Sequence, residues 1–127
     1  FEGSGAITSI AKQNFSTLQL HNVQLAEGDF DKTLSSLLSN LKTVNFAFAD
    51  GNHRKEPTLD YFNQLLEKAT STTILVFDDI HWSAEMEEAW EAIKLHPAVT
   101  LTIDLFFIGI VFINPDFKIL QHFNIRF

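Results

Sequence analysis

The sequence predicts an α/β fold: a Rossmann-like, mostly parallel sheet with helices on both faces and an antiparallel strand pair at its C-terminal end. Up to about residue 96, segments with three- and four-residue apolar spacing alternate with short apolar runs, the signature of strands joined by crossover helices. After His96-Pro97 the helical spacing stops and strand follows strand, so the last pair must run antiparallel. The central runs, such as Ile74 to Phe77 (ILVF), are apolar throughout and therefore expect neighbours on both sides.

Taken in order, Ile7, Ile10, Ala11, Phe15 and Leu18 define an amphipathic helix from about Gly5 to Leu18, with Ser4 as its cap. His21 to Glu27 (HNVQLAE) alternates around Val23 and Leu25 and reads as a strand. Phe30, Leu34, Leu37, Leu38 and Leu41 mark a second helical face, and Val44 to Ala49 (VNFAFA) is a strand closing on Asp50. Pro57 suits the first turn of a helix whose stripe is Leu59, Phe62, Leu65, Leu66 and Ala69. Thr72 to Phe77 is the next strand, and Ser83 opens a helix with Met86, Ala89, Trp90 and Ile93 on one side. Val99 to Asp104 and Ile108 to Ile113 are strands, Asn114-Pro115-Asp116 is a turn, and Phe123, Ile125 and Phe127 alternate as a last, half-exposed strand.

The chain has 127 residues, the size of one domain with a single core, here residues 1–127. A net charge of −7 argues against a nucleic-acid partner, because phosphate binding wants surplus Lys and Arg. There is no cysteine, so there is no disulfide, no thiolate metal site and no cysteine nucleophile, which fits a cytoplasmic location. The longest apolar run, Leu105 to Ile113 (LFFIGIVFI), falls well short of the roughly 20 residues of a membrane helix. Starting abruptly at Phe1-Glu2, the sequence reads as a piece of something longer.

In open parallel sheets, ligands bind beyond the carboxyl ends of the strands. The residues at those ends are Gly28-Asp29-Phe30, Asp50-Gly51-Asn52-His53 and Asp78-Asp79-Ile80-His81-Trp82, with Glu2 joining them if Phe1-Glu2 is the tail of a further strand. Each has an ordinary alternative. Asp29 can merely cap its helix, Asp50-Gly51 is a common turn dipeptide, and one of Asp78 and Asp79 can cap the helix near Ser83. His53 and His81 can be structural, Trp82 and Trp90 can be packing residues, and Glu85, Glu87, Glu88 and Glu91 suit a solvated helix face. The stretch FEGSGA is not a dinucleotide loop, since the third glycine position is Thr8.

DGNHRKEPTLDYFNQLL followed by ILVFDDIHWSAEMEEAW resembles the class I S-adenosylmethionine-dependent methyltransferases, in the small-molecule O-methyltransferase-like branch that carries Asp-Gly-x-His after the fourth strand and Asp-Asp after the fifth. The resemblance implies methyl transfer to a small-molecule acceptor at oxygen. It also implies that Glu2 holds the cofactor ribose, that Gly28, Asp29 and Phe30 border the adenine, and that Asp50 adjoins the cofactor. In metal-dependent members, acids matching Asp50, Asp78 and Asp79 hold Mg²⁺, an ion suited to oxygen ligands. His53 or His81 would take the acceptor's proton. The partner implied is a small-molecule substrate, with no nucleic acid or membrane and with a homodimer as a compatible assembly.

Two features depart from the family. The first strand and its glycine-rich loop have no counterpart, and Lys55 stands where relatives carry an aromatic residue. Other readings are a nicotinamide-dependent dehydrogenase fragment, a methyltransferase-like domain kept for assembly, and, more remotely, a phosphoacceptor receiver domain. The dehydrogenase reading leaves Asp78-Asp79 unexplained, and the receiver reading finds only Asp104 as a downstream acid with no matching Lys.

Overall fold

The computed structural model describes residues 1–126. Phe127, the last member of the expected terminal alternation, lies outside the described residues. The chain divides into two compact units, one of residues Phe1–Asn40 and one from Leu41 onward.

The first unit holds α1 (Gly5–Thr17) and α2 (Phe30–Ser39). Ser4 caps α1 as expected, its hydroxyl accepting from the Ile7 amide. The inward line of α1 differs from the expected stripe. Thr8 is buried, with Ala11 and Phe15 half-buried behind it, while Ile7, Ile10 and Leu18 stay exposed. Positions 4, 8, 11 and 15 form one line at helical spacing, and its residues at 8 and 11 are small; the larger aliphatics sit to its side.

His21 to Glu27 is not a strand. Only Glu27 bridges Glu2, in parallel, through the Glu2 amide to the Ala26 carbonyl and the Gly28 amide to the Glu2 carbonyl, both 3.0 Å. Alternation supplies the side-chain pattern of a strand, but a strand exists only where a neighbouring backbone completes the ladder. Asp29 then caps α2 by accepting from the Asp31 amide at 3.2 Å. Leu34 and Leu38 are buried on α2, whereas Leu41 lies past its end and is exposed.

The second unit is built from β1 (Val44–Ala49), α3 (Lys55–Leu66), β2 (Ala69–Asp78), α4 (Ala84–Lys94), β3 (Leu101–Asp104), β4 (Ile108–Phe112) and β5 (Gln121–Asn124). Its sheet order is β1-β2-β4-β3-β5. β1 and β2 are parallel, β4 runs against both β2 and β3, and β5 adds a parallel edge to β3. Four of the five strands thus share one direction. Ala69 opens β2 instead of closing α3, so the strand starts earlier than its apolar run.

Thr73, Leu75, Phe77, Val111 and Thr102 form the buried face of this sheet. Phe62 of α3 meets Phe77 at 6.2 Å between ring centroids, and α3 packs against α4. Met86, Ala89, Trp90 and Ile93 are all buried, as the helical spacing predicts. Gly109 is required by that packing, since a Cβ there would stand 2.7 Å from the Trp90 ring. No helix among the described residues is long and apolar enough to cross a membrane.

Candidate active site

In the first unit, the parallel bridge fixes Glu2 just before α1. The Ser4 amide donates to Glu2 Oε1 at 2.8 Å. A carboxylate has about four acceptor positions, so one oxygen is oriented while capacity remains for a pair of hydroxyls. Gly28, at φ +133°, makes a turn that other residues rarely adopt. Phe30 lies edge-on to Phe1. Asp29 is occupied as a cap and as the partner of Lys32 at 3.4 Å.

In the second unit, residues following β1, β2 and β3 gather at the carboxyl end of the sheet. His53 stands between two acids: Nε2 is 3.5 Å from Asp50 Oδ1, and Nδ1 is 3.8 Å from Asp79 Oδ2. These are loose approaches, longer than good hydrogen bonds. The structure separates the adjacent Asp78 and Asp79. Asp78 is the last ladder residue of β2, opposite Ile108, while Asp79 leaves the strand with a left-handed φ of +52°. Among the described residues no group of three such side chains is placed to hold a metal ion, so the expected Mg²⁺ set of Asp50, Asp78 and Asp79 is not assembled as one here.

His81 is held far more firmly. Its Nε2 lies 2.8 Å from Asp104 Oδ2, its Nδ1 lies 3.4 Å from Glu87 Oε1, and its ring stacks on Phe106 at 5.6 Å. Asp104 is buried at 5% exposure and also accepts from the Phe106 amide at 2.8 Å and from Arg126 Nη1 at 3.0 Å. Burial alone would raise its pKa. The hydrogen bonds from His81, the Phe106 amide and Arg126 outweigh that and hold it below the usual carboxylate range. Asp79, His81, Trp82, Phe106 and Phe107 line a shallow cavity of about 210 Å³. Trp82, 72% exposed, is therefore a pocket wall, whereas Trp90 is a packing residue.

Among the sequence candidates Asp104 figures only in the receiver alternative, and Arg126 does not figure at all. Asp104 is nonetheless the carboxyl-terminal residue of β3, so the strand-end rule applied one strand further identifies it. Arg126 carries no such signal, because only the pairing of β5 with β3 brings it to Asp104. Lys55 has a structural role: it binds Glu88 at 2.8 Å, and Glu85 accepts its backbone amide at 3.2 Å, supplying the cap that Arg54 does not. Glu85, Glu87 and Glu88 are thus ion-pair or capping partners rather than only a solvated face.

Three solved structures similar to this chain are described as methyltransferases. A Klebsiella pneumoniae protein provisionally described as an O-methyltransferase matches with a TM-score of 0.72 and 17% identity, over 88% of this chain and 59% of its own. SAH-bound methyltransferase PaMTH1 of Podospora anserina matches with 0.70 and 14%, over 90% and 58%. The O-methyltransferase of Bacillus cereus in complex with SAH matches with 0.64 and 20%, over 87% and 60%. The chain thus spans about three fifths of the length of these structures. No curated protein matches the sequence at a significant level. The profile of a family described as "Methyltransferase domain" matches residues 4–80, more than half of the chain. With the Rossmann-like sheet and strand-end site in place, that match settles the affiliation: the chain belongs to this methyltransferase-domain family.

Proposed function

We propose that the protein transfers the methyl group of S-adenosylmethionine to the oxygen of a small-molecule acceptor. The observation that carries this reading is the His81–Asp104 pair at 2.8 Å on the wall of a cavity at the carboxyl end of the sheet, in a chain of the methyltransferase family.

When bound, the cofactor supplies an electrophilic methyl group. By the family resemblance, Glu2 is assigned to the ribose hydroxyls, with Gly28, Asp29 and Phe30 bordering the adenine. Asp104 accepts from His81 Nε2–H and so selects the tautomer with a lone pair on Nδ1. Glu87, 60% exposed, is free to swing aside. His81 Nδ1 then removes the acceptor's hydroxyl proton as methyl transfer proceeds, the arrangement of an oriented general base. His53, between Asp50 and Asp79, is the alternative group for taking that proton. Mg²⁺ assistance through Asp50, Asp78 and Asp79 is the family's further option; the steps of this mechanism rest on the chain's own side chains. We place the protein in the cytoplasm on the absence of cysteine.

Calorimetry on the intact gene product with S-adenosylhomocysteine tests the reading: wild-type protein should bind and Glu2→Ala should bind at least tenfold more weakly. Equal binding by both would remove Glu2 from the site, and binding of NAD in its place would favour the dehydrogenase reading.

A further inference from the structure

Leu105-Phe106-Phe107-Ile108 closes the β3–β4 hairpin, with the Leu105 amide bonded to the Ile108 carbonyl at 2.9 Å. Two-residue hairpin loops favour Asn-Gly, Asp-Gly or Gly-containing pairs, because their central residues need positive φ. Here both central residues are phenylalanine. Phe106 has φ +76°, and the Phe107 amide bonds back to the Leu105 carbonyl at 3.1 Å. That is a γ-turn with positive central φ, the rarer and more strained of the two γ forms. A bulky side chain in the left-handed region is an outlier that persists only where its surroundings over-determine it.

Those surroundings are specific. Asp104 Oδ1 receives the Phe106 amide. The guanidinium of Arg126, which binds both the Asp104 carboxylate and its backbone carbonyl, lies over the Phe106 ring at 5.6 Å. The Ile125 amide binds the Asp104 carbonyl at 2.9 Å and fixes the approach of Arg126. The Phe106 ring thus carries the His81 imidazole and the Arg126 guanidinium, while it forms part of the cavity wall.

We propose that Phe106 is a positioning and acceptor-specificity residue, held in a strained turn by Asp104 and Arg126 so that its ring seats His81 and walls the acceptor cavity. A glycine would fit the turn better, so the phenylalanine is there for its ring. The acceptor part of this inference rests on the methyl-transfer reading; the seating of His81 does not.

The test compares Phe106→Gly, Phe106→Ala and Arg126→Ala in the full chain. In denaturant titrations Phe106→Gly should be at least as stable as wild type. Phe106→Ala should have an unfolding constant about fivefold or more above that of Phe106→Gly, because both lose the ring but only alanine keeps the backbone strain. In ¹H–¹⁵N spectra of the imidazole, the hydrogen-bonded Nε2–H signal of His81 should be present in wild type and lost or shifted in Phe106→Gly and Arg126→Ala. With catechol as acceptor probe, Phe106→Gly should raise KM about tenfold with a smaller change in kcat. Arg126→Lys should restore part of the loss seen in Arg126→Ala. Phe106→Gly no more stable than Phe106→Ala, together with an unchanged His81 signal, would overturn the proposal. Wild-type protein inactive on catechol and other hydroxyl acceptors counts against methyl transfer, while the stability and NMR results still decide the role of Phe106.

Discussion

His53 and His81 both follow a strand that ends in acid, yet their settings have little in common. His53 has two carboxylates at 3.5 and 3.8 Å, one of them, Asp50, 55% exposed. His81 has one buried carboxylate at 2.8 Å and an aromatic ring stacked on it. An exposed, loosely placed pair gains little, because water screens the attraction and the side chains give up freedom to meet. A buried acid that receives three donors cannot move without leaving one of them unpaired. The contrast shows that the presence of an acid near a histidine matters less than whether the acid itself is held.

The largest expected effect is on His81. His81→Ala should lower kcat by roughly 10²-fold or more, the loss typical of a general base, whereas His53→Ala should cost about tenfold or less. Steady-state methyl-transfer assays on the two variants decide this, and a reversed order would overturn the comparison. Second is Gly109→Ala, which pushes a methyl group into the Trp90 ring and should cost about 1–3 kcal/mol in urea titrations.

A smaller effect concerns acid stability. The Asp104 pKa is depressed in the folded state, so its contribution is fully present above its ordinary value of 3.8 and is lost as pH falls through the lower, folded value. Asp104→Asn should therefore flatten the loss of stability below about pH 4, read from thermal midpoints at stepped pH. The smallest effect is expected from the loose cluster. Asp50→Asn should change stability by less than about 0.5 kcal/mol, and a chelator should leave turnover unchanged. Strong stimulation by Mg²⁺, abolished in Asp78→Ala, would show that these acids converge on binding.

Legibility from the sequence followed the locality of the signal. Ser4 and Asp29 act on amides two or three residues away, so both caps could be read directly, whereas α4 is capped by Ser83 rather than by Asp78 or Asp79. The α4 stripe was also readable, because Met86, Ala89, Trp90 and Ile93 share one side by helical geometry alone. His21 to Glu27 misled for the opposite reason: its alternation is local, but pairing depends on a distant partner. Ile7 and Ile10 misled similarly, since an apolar helix can offer more than one face and only packing chooses between them.

By itself the sequence determined the α/β order from Val44 onward, the antiparallel reversal after His96-Pro97 and the set of acids and histidines after β1 and β2, because periodicity, turns and caps are properties of neighbouring residues. Tertiary structure alone decided that Asp78 stays in the β2 ladder while Asp79 leaves it beside His53, that Asp104 rather than Asp50 grips a histidine, and that Arg126 completes that grip. The physical reason is that each of these depends on strand register: the pairing of β3 with β4 and β5 brings residues 81, 104, 106 and 126 within hydrogen-bonding or ring-stacking reach, and no local pattern encodes that meeting.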